Sequence, residues 1–318
     1  MKKILTVLLL TMIIFSQAAC GEKTVNEVPY TVDTINMTYV KSPLNVPSIV
    51  EKIQGDFEEA YSELGLDFAY FEITSGADQT AALASGDIQI LNAVGGTSVI
   101  LSAANGADIK IIGMYSTSPK AFCLYSSDDQ IKSPADLRGK CIAGPKGTNL
   151  HELLASYLAT TDMTIDDVDF ISMDIPFAFA ALESGSVDCA LLAGPTAYNC
   201  SAAGYNLVTD GNGLIDGTIL TATTQDFYDN NKDIIDVFLS VQQKVLTFIE
   251  QSYDEAIDMT AEETGLGSEV VEEMFTLYDF RIDVIDKDIV SLQNTADFMF
   301  SSGLIENAVD ASSLFLDK

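Results

Sequence analysis

What most restricts the fold of this chain is a regular alternation of short strands, apolar on both faces, with amphipathic helices. Residues 35–40 form a strand candidate closed by Lys41-Ser42-Pro43, and Val46, Ile49, Val50, Ile53, Phe57, Tyr61 and Leu64 then recur at helical spacing, predicting one helix that closes at Gly65. Strands over 66–73, 88–91 and 109–114 follow, separated by a short helix capped by Asp78 and another over 98–104. Strands of this kind pair in parallel sheets covered by helices on both faces. The expectation is an α/β fold with mainly parallel sheets.

The pattern then repeats in kind. Residues 121–125, 140–143, 168–173, 187–192 and 206–209 read as strands, with helices over 148–159, 176–184 and 195–203. Ser133 before Pro134 is a helix-start signal for a turn between the first two of these strands. One more strand starts at Ile219, after which 232–251, 253–263, 268–278 and 286–302 are helical, punctuated by Gly265, Gly267 and Gly303. No repeat of 20 to 50 residues stands out. The reading is two α/β units and a helical C-terminal region.

A chain of 318 residues has room for about two such cores. Its acidity is extreme, with 47 Asp and Glu against 16 Lys and Arg, yet 47% of residues are hydrophobic, which excludes an acidic disordered chain. A surface this negative, with its few cations scattered, also excludes nucleic-acid binding.

The N-terminus stands apart from the fold. Lys2 and Lys3 precede an apolar run over residues 4–15, the form of an export signal and too short to span a membrane. Ser16-Gln17-Ala18-Ala19-Cys20 follows. It resembles the lipobox of bacterial lipoproteins, in which the cysteine is acylated and becomes the new N-terminus, although Gln17 stands where leucine is commonest. Residues 1–19 are assigned as signal peptide and 20–33 as a lipid-anchored polar linker, with Cys20 as the lipidation site and ordinary cleavage near Ala18 or Ala19 as the alternative. Cys123, Cys141 and Cys189 lie in apolar strand-like runs, which favours buried free thiols, while export leaves disulfides among them and Cys200 open. No Cys-x-x-Cys occurs, and His151 lies far in sequence from every cysteine, so no metal site is expected.

Four segments line up in order with one family: Ala84-Ser85-Gly86-Asp87-Ile88, Ser133-Pro134-Ala135-Asp136-Leu137-Arg138-Gly139-Lys140, Lys146-Gly147-Thr148-Asn149-Leu150-His151, and Ala181-Leu182-Glu183-Ser184-Gly185-Ser186-Val187-Asp188. They resemble the landmarks of ABC-importer solute-binding lipoproteins of the nitrate/sulfonate/taurine type (SsuA/THI5-like, NMT1-like), over about residues 35–253. The resemblance implies a type II periplasmic-binding-protein fold with two lobes and two crossovers, placed near 116–120 and 211–217. Residues 34–117 and 218–318 would form lobe 1, and 118–217 lobe 2. It further implies an extracytoplasmic, lipid-anchored monomer, without cofactor, that binds a small solute and delivers it to a permease driven by a separate ATPase. A sulfonate, taurine or nitrate-like anion is the leading ligand. A thiamine-precursor pyrimidine is the alternative, and a related eukaryotic branch of the fold that synthesises that pyrimidine makes an enzyme the remote third reading.

In such folds ligands bind beyond the carboxyl ends of the strands. The expected ligand residues are Lys41, Ser42, Ser75, Gly96, Thr97, Ser98, Ser116, Lys146, Gly147, Thr148, Asn149, Asp174 and Thr196. Gly95-Gly96 allows close approach and positive φ, and Thr97 and Ser98 add hydroxyls beside unpaired amides at a helix start. Gly147-Thr148-Asn149 repeats the arrangement, so two facing helix starts with Lys146 would make an anion clamp. Ordinary helix capping explains each loop singly about as well. Asp174 suits a cation or a neutral heterocycle equally. His151 and the aromatics Phe177 and Phe179 read as structural, and Gly139 and Gly144, followed by Pro145-Lys146, do not make a phosphate-binding loop.

Overall fold

The computed structural model describes residues 30–41 and 44–316. The export signal, Cys20, and both Ser42 and Pro43 lie outside the described residues. Among those described, no helix is long and apolar enough to cross a membrane.

The first segment runs β1 (Thr34–Tyr39), α1 (Val46–Gln54), α2 (Asp56–Glu63), β2 (Asp67–Glu72), α3 (Gly76–Ser85), β3 (Leu91–Gly95), α4 (Gly96–Ala104) and β4 (Lys110–Thr117). The second runs β5 (Phe122–Ser126), β6 (Cys141–Gly144), α5 (Asn149–Ala159), β7 (Asp169–Ser172), α6 (Ile175–Glu183), β8 (Cys189–Ala193), α7 (Gly194–Ala202) and β9 (Asn206–Asp210). The chain then returns through β10 (Thr218–Thr223), α8 (Gln225–Asn230), α9 (Lys232–Gln251), α10 (Tyr253–Thr264), α11 (Ser268–Phe275), β11 (Asp279–Phe280) and α12 (Asp286–Ser301).

Two sheets result. In the first, the pair β1-β2 is joined by a single bridge, Met37 to Ile90 just before β3, to the ladder β3-β10-β4-β11. The second has the order β7-β6-β8-β5-β9. Both are mixed. In each, the strand that enters directly from the other segment, β10 or β5, runs antiparallel to both neighbours. The expectation of mainly parallel sheets holds for the βαβ portions and gives way at these strands, because a chain crossing from the other lobe enters its sheet from the cleft end. With the edge strand β11 set aside and each lobe's own strands numbered in order, the two sheets share one topology: second, first, third, the strand that crosses in from the other segment, fourth.

The core of lobe 1 combines Val94, Val99 and Ile100 with Met114, Leu220, Leu292 and Met299. Lobe 2 has one core under α5, with Leu150, Leu153, Leu154 and Leu158, and another beneath α6 and α7 containing Ala178, Leu182 and Cys200. The single long helix read over Val46 to Leu64 is two helices, because Gly55 is left-handed (φ 70°) and serves as the C-cap of α1 and the N-cap of α2. The apolar period continues across the break, which hides it. Cys123, Cys189 and Cys200 are buried free thiols, and Cys141 is partly buried and free.

The chain passes between the sheets twice, at 118–121 and 211–217, and the two passages touch. Ser118 donates from its backbone N–H to Gly217 at 3.3 Å, and Gly211 donates to Phe122 at 3.0 Å. A Cβ on Gly211 would lie 2.4 Å from the Pro119 carbonyl oxygen, and one on Gly217 would lie 2.9 Å from the Ser118 backbone at a φ of +60°. Both collisions are with main chain, which cannot swing aside. Gly217→Ala is therefore expected to cost about 2 kcal/mol or more in stability by urea unfolding, whereas an alanine at Gly267, where nothing lies within 4 Å of the new Cβ, should cost far less.

Candidate functional site

The carboxyl ends of the strands of both sheets carry the loops predicted to hold a ligand. At the end of β3 the backbone is re-aimed by a bulge, with Leu220 opposite Val94 and Thr221 opposite Asn92, leaving Ala93 unpaired at φ 68°. Positive φ thus falls on Ala93 and not on Gly95 or Gly96. A non-glycine residue there costs energy that the surroundings must over-determine. Ala93 is buried with Val40 and Tyr115. Asn92 donates to the Glu51 carboxylate at 2.7 Å, Gln242 donates to its other oxygen at 2.7 Å, and the Thr38 hydroxyl accepts from the Asn92 N–H at 2.8 Å. Burial pushes the Glu51 carboxyl well above the usual carboxylate range.

Glycine at 96 serves close approach, since a Cβ there would stand 3.0 Å from Leu292 and 3.4 Å from Thr218. Gly76, the first residue of α3, faces Ser98 so closely that a Cβ would lie 2.2 Å from its hydroxyl oxygen. The starts of α3 and α4 are thereby packed together.

Across from them stands the start of α5. Asn149, 4% exposed, accepts from the Thr97 hydroxyl at 3.1 Å and donates to the Thr218 carbonyl at 3.2 Å. Helix starts from opposite lobes are therefore in direct contact. Neither is closed by a side-chain cap: the N-cap of α4 is Gly95, and the N-cap Thr148 of α5 turns its hydroxyl to the Pro145 carbonyl at 2.9 Å. Ordinary capping, which explained each loop singly, is excluded at these two and observed at α3, where Ser75 accepts from the Asp78 N–H at 3.4 Å. Helix starts without caps leave N–H donors and partial positive charge for another acceptor.

His151 organises the second start. It is 2% exposed, stacks on Phe170 at 4.8 Å, and its Nδ1 accepts from the Gly147 N–H at 3.2 Å. Burial, followed by the nearby Lys146 charge, lowers its pKa to about 4. The ring is a structural part of the loop, more deeply buried than its position near a helix start suggested.

Ser75, Ser98, Lys146, Gly147, Thr148 and Asp174 line one cleft of about 470 Å³, joined by Gly76 and Ser172. Lys146 makes no ion pair or hydrogen bond among the described residues, and Asp174 starts α6 without capping it. Other predicted residues sit elsewhere. Lys41 pairs with Glu263 at 3.9 Å, beside Lys52 at 3.6 Å, so its charge is partly spent on lobe 1. Thr196 turns its hydroxyl back to Ala193 at 2.8 Å. Ser116 is fully buried in β4 with an unpartnered hydroxyl. Phe177, read as core, is 69% exposed one turn after Asp174. Cavities of about 460 Å³ between α7 and α11, and about 520 Å³ beside Thr31 and Phe227, are as large; the cleft is distinguished by its helix starts and not by size.

A family model described as NMT1/THI5 like matches residues 47–256. A Bacillus subtilis protein named for aliphatic sulfonate binding is 28% identical over 272 residues, 84% of this chain and 82% of its own. The taurine-binding periplasmic protein of Escherichia coli is 26% identical over 183 residues, 58% of this chain and 55% of its own. Among solved structures, the alkanesulfonate-binding protein SsuA of Xanthomonas axonopodis pv. citri, bound to MOPS, superposes with a TM-score of 0.81 at 21% identity, covering 90% of this chain and 98% of that one.

The depressed His151 pKa has a definite sign in stability. The unfolded chain takes up a proton near pH 6.5 and the folded chain only near 4, so acid favours the unfolded state across that window. Against a His151→Gln variant, the parent is expected to lose about 2 kcal/mol of relative stability between pH 7 and pH 5, read as the difference between their urea unfolding curves.

Proposed function

The chain belongs to the NMT1/THI5-like family, and we propose from that membership that it is the extracytoplasmic solute-binding component of an ABC importer, holding a small sulfonate-type solute between its lobes. The observation that carries this reading is the contact of two uncapped helix starts across the lobes, Thr97 to Asn149, with Lys146, unpaired among the described residues, in the adjoining cleft. Anions suit such a place, because uncapped helix starts leave N–H donors and partial positive charge for an acceptor.

Asp174 lies in the same cleft as Lys146. A solute negative at one end and positive at the other, such as taurine, satisfies both, and this favours an aminosulfonate over a simple alkanesulfonate. The exposed Phe177 ring beside Asp174 supports a second reading, in which an aminopyrimidine thiamine precursor stacks at the rim.

Binding without catalysis fits the chemistry present. The His151 ring is engaged on Gly147 and Phe170, and burial pushes the Cys123, Cys189 and Cys200 thiols up to about 12, away from nucleophilic use. We further propose that Cys20 is acylated and that the protein works as a lipid-anchored monomer beside a permease with a separate ATPase. Mass spectrometry of the N-terminal peptide from the membrane fraction should find diacylglyceryl-modified Cys20; an unmodified cysteine there would remove the anchor.

Calorimetry with taurine, ethanesulfonate, nitrate and an aminopyrimidine is expected to find binding that is strongest for taurine, with a micromolar or better Kd. Lys146→Ala should weaken it about tenfold or more. Asp174→Asn should weaken taurine while leaving ethanesulfonate unchanged or stronger. Parent-like taurine affinity in both variants would sink the assignment of this cleft.

A further inference from the structure

Ala93, at φ 68°, is the strained residue of β3 and stands three positions before Gly96, in the segment that carries Thr97 to Asn149. An alanine stays at positive φ only where its neighbours leave it no alternative. Helix α1 supplies much of that restraint. Its Ser48 and Glu51, three residues apart on one face and both fully buried, reach the two residues on which Ala93 rests.

Ser48 meets Tyr115, which packs with Ala93. The two hydroxyls lie 2.9 Å apart, and the Ser48 N–H donates to the Tyr115 hydroxyl at 3.2 Å. Glu51 meets Asn92, the residue before Ala93, accepting from its side chain at 2.7 Å and from Gln242 of α9 at 2.7 Å. From β1 the Thr38 hydroxyl accepts from the Asn92 N–H at 2.8 Å and donates to the Asn92 carbonyl at 3.2 Å. Asn92 is thus gripped by both its backbone and its side chain.

Packing gives no reason for a carboxyl at position 51. Lys52 is engaged with Glu263 and over the Tyr39 ring, and Lys244 of α9 is engaged with Asp56. A buried carboxyl without a cation is costly, and an apolar side chain of similar volume would fill the place as well or better. An apolar side chain cannot hold two amide groups at once.

We propose that Glu51 is a positioning residue for solute binding: through Asn92 it holds Ala93 left-handed, and thereby fixes where the start of α4 meets the solute. The proposal rests on the solute-binding reading above and adds to it a residue outside the lining of the cleft. Without the clamp, Ala93 relaxes toward negative φ, the bulge shifts, and the N–H groups at the start of α4 lose their aim. Glycine adopts the left-handed conformation without penalty. A glycine at this place therefore keeps the turn in position with no clamp, which gives positioning a signature that packing lacks.

Glu51→Met, which keeps the side-chain length and removes both acceptors, is expected to weaken taurine and ethanesulfonate binding to the full chain about tenfold. Adding Ala93→Gly should recover most of that loss. The gain from Ala93→Gly should be about tenfold larger in the Glu51→Met background than in the parent. If Glu51→Met does not fold, Gln242→Met carries the same test, because it loosens the clamp from its far end and leaves Asn92 its acceptor. That variant should bind about threefold more weakly, again with recovery by Ala93→Gly.

Hydrogen exchange of the unliganded protein supplies the second arm. Amides of residues 93–98 should exchange faster in Glu51→Met and return toward the parent rate when Ala93→Gly is added. If neither sulfonate binds, the ligand assignment fails, while exchange still decides the role of Glu51. Parent-like affinity and exchange in Glu51→Met, or losses that Ala93→Gly does not recover, overturn the proposal and leave the carboxyl as a part of the lobe 1 core alone.

Discussion

Everything at the site depends on the two chain passages lying side by side. Ser118 bonded to Gly217 and Gly211 bonded to Phe122 make a narrow two-stranded strap between the sheets, and it leaves no room for a side chain at either glycine. Because both passages enter from the cleft side, β5 and β10 are forced antiparallel to their neighbours, and the carboxyl ends of the remaining strands in the two sheets are turned toward each other. The facing of α4 and α5 follows from that geometry.

The two lobes share one topology, and the residues at equivalent places have been put to different uses. The β3–α4 turn of lobe 1 supplies Gly96 and Thr97 to the seam, while its counterpart β8–α7 in lobe 2 turns Thr196 back onto Ala193. The β6–α5 turn of lobe 2 offers Lys146, unpaired among the described residues; its counterpart after β1 carries Lys41 already paired with Glu263. The echo in sequence is faint: Ser85-Gly86-Asp87 and Ser184-Gly185-Ser186-Val187-Asp188, each ending the helix before the third strand of its sheet. The two are about a hundred residues apart, outside the range in which short structural repeats are sought.

Preorganisation of the site is distributed well beyond the cleft. Asn92 holds the strand that carries the Ala93 bulge, and it is itself held by Glu51, which Gln242 anchors from α9. The C-terminal helices are therefore part of the support for a turn more than a hundred residues earlier. In lobe 2 the same service is given locally, by His151 reaching back to Gly147 within one turn. A binding surface formed by main-chain N–H groups needs such support, since its donors are only as well placed as the loops that carry them.

The sequence by itself determined the α/β character, the helical C-terminal region and which turns carry small polar residues, because periodicity, glycine and cap residues act within a few positions of one another. It also singled out Ser75, Ser98, Lys146, Gly147, Thr148 and Asp174, through loops following strands, and these line one cleft. It missed the helix break at Gly55, where the apolar period runs on undisturbed, and it placed positive φ at Gly95 and Gly96 when the bulge puts it on Ala93. Only the tertiary structure decided that Lys41 is partly spent on Glu263, that Ser116 is sealed in a sheet, and that Phe177 is bare. Those outcomes depend on which distant segment arrives beside each side chain, and pairings between residues that far apart in the chain leave no trace in local spacing.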